Sequence, residues 1–256
     1  MRYPNLSNFL ILCSGIFWMI VYVNAVIIGF RDKSYAMPLW ALGLNLSWEV
    51  MHSFLAWQVE GPALQMVINA IWAVLDLLVF YTFIRFGRKY VAGPGEARWF
   101  LPWSLLVLAV SFVIQYAFVL EFGIYPGRAY AAFLQNLLMS VLFIDMLVRR
   151  DSSKGQSLVI AVSKWLGTLA PTILFGILGT DVFHGMNRFI LVTGALCSVF
   201  DLTYIAMLAR VNSIEKRKEE INSLPEHFPD ARQVPEQAPG GRMCEPAQAQ
   251  ACRPAR

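Results

Sequence analysis

Three carboxylates, Glu49, Asp76 and Asp201, interrupt long apolar runs of the 256-residue chain. An ionisable side chain at the middle of a lipid-embedded helix costs at least about 2.5–3.5 kcal/mol, so residues of this kind mark function by default. Each has polar or aromatic company at helical spacing. Asn45, Trp48, Glu49 and His52 share one stretch, and offsets of four and three put Asn45, Glu49 and His52 on one face. Asn69, Trp72 and Asp76 repeat the pattern, as do Cys197, Asp201 and Tyr204. The chemistry open to these groups is proton transfer. Little water around a carboxyl group disfavours its charged form, and a neutral acid can donate a proton to a bound molecule. A second carboxylate can orient the first, and Asn and Tyr neighbours can fix its rotamer. Trp18, Tyr22, Trp48, Trp72 and Tyr204 offer π-faces to a developing cation.

The elements that must position these residues follow from composition. The chain is 57% hydrophobic, with 15% charged residues and a mean hydropathy of +0.52, whereas a soluble domain carries about 25% charged residues. Soluble enzyme, disordered chain and disulfide mini-protein are excluded as classes. Seven segments reach the ~20 apolar residues that a spanning helix needs: 8–30, 37–57, 66–85, 100–120, 129–148, 157–179 and 189–210. The expected fold is all-α, a polytopic seven-transmembrane-helix bundle over residues 1–210. A polar, Pro-rich cytosolic tail follows over 211–256, helical to about residue 223 and largely disordered beyond. Thirteen basic residues fall in the loops on one side, against Arg2, Arg128 and Arg188 on the other. The positive-inside rule then places the N-terminus outside or in the lumen and the C-terminus in the cytosol. In a eukaryotic cell the membrane would be the endoplasmic reticulum. From the segment ends, Glu49 lies roughly 18 Å, and Asp76 and Asp201 roughly 14 Å, below the basic side. All three are near the midplane and share one cavity if their helices are neighbours.

Other polar residues have simpler readings. Asp145 stands four residues before Arg149 and is expected to pair with it. Lys164 is expected to snorkel to the basic interface, Glu121 and Asp181 to sit at the outer surface, and Pro171 to kink its helix. The four cysteines show no metal or disulfide spacing. The basic residues mark membrane topology, so no nucleic-acid partner is expected. A proton-coupled seven-helix transporter remains the competing reading, since intramembrane carboxylates also serve proton relays, although no internal repeat is present.

Several motifs carry a family resemblance: Tyr35-Ala36-Met37-Pro38, Asn45-x-x-Trp48-Glu49, Trp72 with Asp76, and Gln135-Asn136-Leu137-Leu138 with Ser140. The Arg149-to-Gly155-Gln156-Ser157 loop, Lys164-Trp165-Leu166-Gly167 and Asp201-x-x-Tyr204 complete the set. In these the chain resembles the small integral-membrane terpene cyclases of fungal meroterpenoid and indole-diterpene pathways. The resemblance implies cyclisation of a prenyl chain on an aromatic or polyketide head group, after a prenyltransferase and a flavin monooxygenase have made its terminal epoxide. It implies Glu49 and Asp201 as the essential acids. Glu49 would protonate the epoxide, or an alkene directly, and Asp201 would act as a second acid or orienting partner. Asn45, Trp48, His52, Trp72, Asp76, Tyr204, Trp18 and Tyr22 are the supporting candidates. No cofactor and no metal are expected, and the chain has no Asp-Asp-x-x-Asp motif.

Overall fold

The computed structural model describes residues 4–61, 64–91 and 97–223. Among the described residues there are helices and no strands. Helix α1 spans Pro4–Arg31, α2 Leu39–Glu60, α3 Leu64–Phe86, the short α4 Arg88–Val91, and α5 Phe100–Phe122. Helix α6 spans Ile124–Arg150, α7 Leu158–Ile173, and α8 Arg188–Asn222. Helix α7 contains Pro171 and passes into a π-turn at Leu174–Leu178. The expected kink there takes this form because proline removes a backbone donor and crowds the preceding turn. The chain divides into one unit, Met1–Glu215, and a second, Lys216–Arg256. Helix α8 runs to Asn222, as the expected extension requires, and the part of the tail read as disordered, 224–256, lies outside the described residues.

Among the described residues six helices are long and apolar enough to cross a membrane, against the seven expected: Pro4–Arg31, Met66–Phe86, Phe100–Phe122, Ile124–Arg150, Leu158–Leu178 and Arg188–Asn222. The seventh, α2, has the length, with 22 residues, but is diluted by Asn45, Ser47, Glu49 and His52. The structure gives the reason. All four of those side chains are buried, and α2 packs against α3, α5 and α6. A helix face enclosed by protein does not have to match lipid, whereas Val50, Phe54, Trp57 and Val59 of α2 are exposed. The outer helices have to match it, and Val113 and Leu120 of α5 are each 68% exposed.

At one end of the bundle the basic loops are tied together. Asp32 accepts a hydrogen bond from the Gly155 N–H at 2.9 Å. Arg150 donates to the carbonyls of Tyr35 (3.0 Å) and Lys154 (2.7 Å), and its guanidinium lies 3.9 Å from the centre of the Tyr35 ring. Ser153 is hydrogen-bonded to Glu215. Gly155 has φ +76°, and a Cβ there would stand 2.8 Å from both Ser34 Oγ and the Tyr35 carbonyl. Burial pushes the Asp32 carboxyl up, but hydrogen bonds from Arg31 and Gly155 outweigh it and hold it below the usual carboxylate range. The loops after α1 and α6, which the charge alternation assigns to one side, do lie together. Asp145 and Arg149 form the expected pair at 2.8 Å.

Candidate active site

The polar face of α2 meets α1 and α3 in a buried network. Tyr22 of α1 donates its hydroxyl hydrogen to Glu49 Oε1 at 2.9 Å. Asn45 Nδ2 donates both to the Tyr22 oxygen (2.6 Å) and to Asp76 Oδ2 of α3 (2.7 Å). Behind Asn45 stand two amides. Gln135 of α6 donates to Asn45 Oδ1 at 3.3 Å, and Gln115 of α5 donates to Gln135 Oε1 at 2.7 Å and to the Leu44 carbonyl at 3.1 Å. The donations run one way, from Gln115 through Gln135, Asn45 and Tyr22 to Glu49. That direction fixes which end of each amide is oxygen. Glu49 is 1% exposed and Asp76 fully buried, yet Glu49 Oε2 and Asp76 Oδ1 have no hydrogen-bond partner among the described residues.

Aromatic rings flank this network. Tyr22 lies between Trp18 and Trp72, with centroids 5.9 and 5.8 Å away. Trp72 Nε1 has no hydrogen-bond partner among the described residues. The Trp18 ring rests on α7 where Gly167 leaves room, since a Cβ at that position would stand 3.0 Å from Trp18 Cδ1. Ser14 closes the same contact by donating to the Gly167 carbonyl at 2.8 Å.

Asp201 belongs to a second cluster. Lys164 of α7 donates to both Asp201 oxygens, at 2.8 and 3.0 Å, and to Ser140 Oγ of α6 at 2.7 Å. Lys164 is 1% exposed, so the expectation that it snorkels to the interface is overturned. The physical reason is the buried carboxylate, whose charge needs a partner. Both residues stand at similar depth, seven and nine residues from the basic ends of their segments, which is the signal that could have paired them. Glu49 and Asp201 make their hydrogen bonds in different clusters. No hydrogen bond joins them among the described residues, and the carboxylate in the Glu49 network is Asp76. The aromatic row is what links the clusters, because Gly167, one turn from Lys164, carries the Trp18 ring.

The supporting candidates divide accordingly. Tyr22, Asn45 and Asp76 form the Glu49 network, and Trp18 and Trp72 pack against its Tyr22. Trp48 donates to the Arg128 carbonyl of α6 at 3.0 Å and packs against His52, centroid to centroid 5.1 Å. Tyr204 turns to the basic end, donating to Gln156 at 2.9 Å and lying against Phe143. Gln115 and Gln135 also belong to the network, and the only sequence signal for either is the Gln135-Asn136-Leu137-Leu138 motif. They also line a largely apolar groove of about 440 Å³ between α5 and α6, with Leu134, Leu138 and Val141.

Fold and site define a helical, multi-pass membrane protein whose interior holds an acid network beside aromatic rings. The chain belongs to the Pyr4-like transmembrane terpene cyclases, whose family model matches residues 1–213. It is 29% identical over 175 residues to the Pyr4-family terpene cyclase mfmH of Annulohypoxylon moriforme, covering 68% of this chain and 71% of that one. To the terpene cyclase pyr4 of Aspergillus fumigatus it is 26% identical over 225 residues, covering 86% and 92%. The asnovolin H synthase nvfL of Aspergillus novofumigatus is 28% identical over 167 residues, covering 64% and 67%. No solved structure matches. Membership of a cyclase family sets the transporter reading aside.

Proposed function

We propose that this cyclase acts on an epoxidised prenyl chain borne by an aromatic or polyketide head group, and that Glu49 is the acid that starts the reaction. The observation that carries the reading is the state of Glu49. One carboxyl oxygen is fixed by Tyr22, while the other is buried with no hydrogen-bond partner among the described residues and is free to hold the proton that leaves. Asn45, anchored on Asp76, holds Tyr22 and so holds the acid's orientation. Protonation of the epoxide oxygen breaks a C–O bond, and the electron pair stays on oxygen as a hydroxyl. Alkene π-pairs then close the rings one after another. Trp18, Tyr22 and Trp72 supply ring faces to the migrating cation, and the dry interior protects it from capture by water.

Asp201, bound on both oxygens by Lys164, serves this reading as a fixed negative charge that orients and stabilises rather than as a second acid. The substrate is greasy and already partitions into lipid, so the groove between α5 and α6 gives it an approach. A prenyltransferase and a flavin monooxygenase act upstream. The reaction itself, an isomerisation, consumes no cofactor. The basic loops face the cytosol and the N-terminus the lumen of the endoplasmic reticulum.

The test is conversion by microsomes of prenylated phenols with a terminal epoxide, in geranyl, farnesyl and geranylgeranyl lengths. Cyclic product is expected with wild type. Glu49→Gln is expected to lower the rate by about 10²–10⁴-fold, the usual contribution of a positioned acid. Full turnover by Glu49→Gln at wild-type membrane level would remove the mechanism.

A further inference from the structure

A cascade begun by a proton must also give one up, and the network around Glu49 leaves one basic group unused. His52 lies three residues after Glu49 on α2, on the same face, at a separation of about 5–6 Å between Cβ atoms. It is 1% exposed. Neither ring nitrogen has a hydrogen-bond partner among the described residues. Buried polar groups are as a rule hydrogen-bonded, so an imidazole without a partner at either nitrogen is costly and calls for a reason. Its ring is nonetheless held in place. Trp48 packs against it at 5.1 Å, and Trp48 is itself tied to α6 through the Arg128 carbonyl. A side chain fixed by packing while both nitrogens stay open is arranged to exchange a proton with something that comes and goes.

Resting on the proposed function, we propose that His52 is the base that ends the cyclisation and returns the proton to Glu49. The balance closes without a co-reactant. Glu49 gives its proton to the epoxide oxygen and becomes a carboxylate. The last cation then loses a proton to an imidazole nitrogen. If the proton comes from carbon, the C–H pair becomes the new alkene. If it comes from a head-group hydroxyl, the oxygen keeps the O–H pair as it bonds to the cation. The imidazolium passes this proton to the Glu49 carboxylate one turn away, and both groups are restored with no water admitted.

Two variants test this with the epoxidised prenyl phenol that wild type converts: His52→Phe, which keeps a ring against Trp48 but has no base, and His52→Gln. Both are compared with wild type at equal membrane level. Substrate consumption is expected to continue, with kcat down about tenfold, while at least half of the product shifts to partly cyclised alkenes and water adducts. A wild-type product profile from either variant overturns the proposal. So does complete loss of substrate consumption in both, which would place His52 in the opening step. Failure of both to accumulate in the membrane would make it a packing residue and overturn the proposal too. The underlying reading fails differently, by wild type converting no member of the panel or by Glu49→Gln retaining full turnover.

Discussion

At the scale of single residues, Glu49 and Asp201 are both buried carboxylates, and their surroundings assign them different work. Glu49 faces a phenol and an amide network that ends on Asp76, with no cation bonded to it among the described residues, and can hold a proton. Asp201 faces an ammonium group at 2.8 Å and is a charge. Removing one member of such a pair strands the other, at a cost of about 3–5 kcal/mol, whereas replacing both with apolar groups is often nearly neutral. Lys164→Met is therefore expected to accumulate poorly and melt early in detergent. The double variant Lys164→Met with Asp201→Leu is expected to recover stability while staying inactive. A double variant with normal turnover would show that the pair is only structural. Tyr22→Phe removes one hydrogen bond from Glu49 and is expected to slow cyclisation by about tenfold, the equivalent of a bond worth near 1.4 kcal/mol.

The elements explain why these residues meet. Helix α2 carries Asn45, Ser47, Glu49 and His52 because these side chains are buried within the protein, and its polar face is what α1, α3 and α6 hold. Gly167 lets α7 approach α1 closely enough for Trp18 to rest on it. Gly167→Val is expected to push that ring away and to lower activity more than expression, measured as turnover per unit of membrane protein. The basic end works as a clamp between loops. Asp32, held below its usual range by Arg31 and Gly155, contributes stability that is present above the normal carboxylate range and lost as pH falls through its depressed value. Asp32→Ala is expected to cost about 1–2 kcal/mol at neutral pH. The deficit against wild type should shrink on acidification, read as melting temperature in detergent across pH. Gly155→Ala should be at least as damaging, because its φ of +76° and its crowded surroundings both exclude a Cβ.

For the whole molecule, the family match ends at residue 213, close to the boundary of the first unit at Glu215. The segment beyond carries none of the site residues. A chain ending at residue 223 is expected to keep full cyclase activity in microsomes, and loss of product on that truncation would assign the tail a role in the reaction.

Much was legible in the sequence, because lipid is a strict solvent. Apolar runs long enough to span, basic loops on one side, and carboxylates placed near mid-depth are readable one segment at a time, and so is the grouping of Asn45, Glu49 and His52 on a single face. The motifs pointed to the family that the comparison then established. What no single segment contains is the rotation of each helix about its axis and the choice of its neighbours. Packing settled those, and with them the pairings: Asp76 rather than Asp201 in the Glu49 network, Lys164 on Asp201 rather than at the interface, and Tyr204 bonded to Gln156. Period and hydropathy fix what a helix shows on each side. Only the close fit of one helix against another decides which sides face each other.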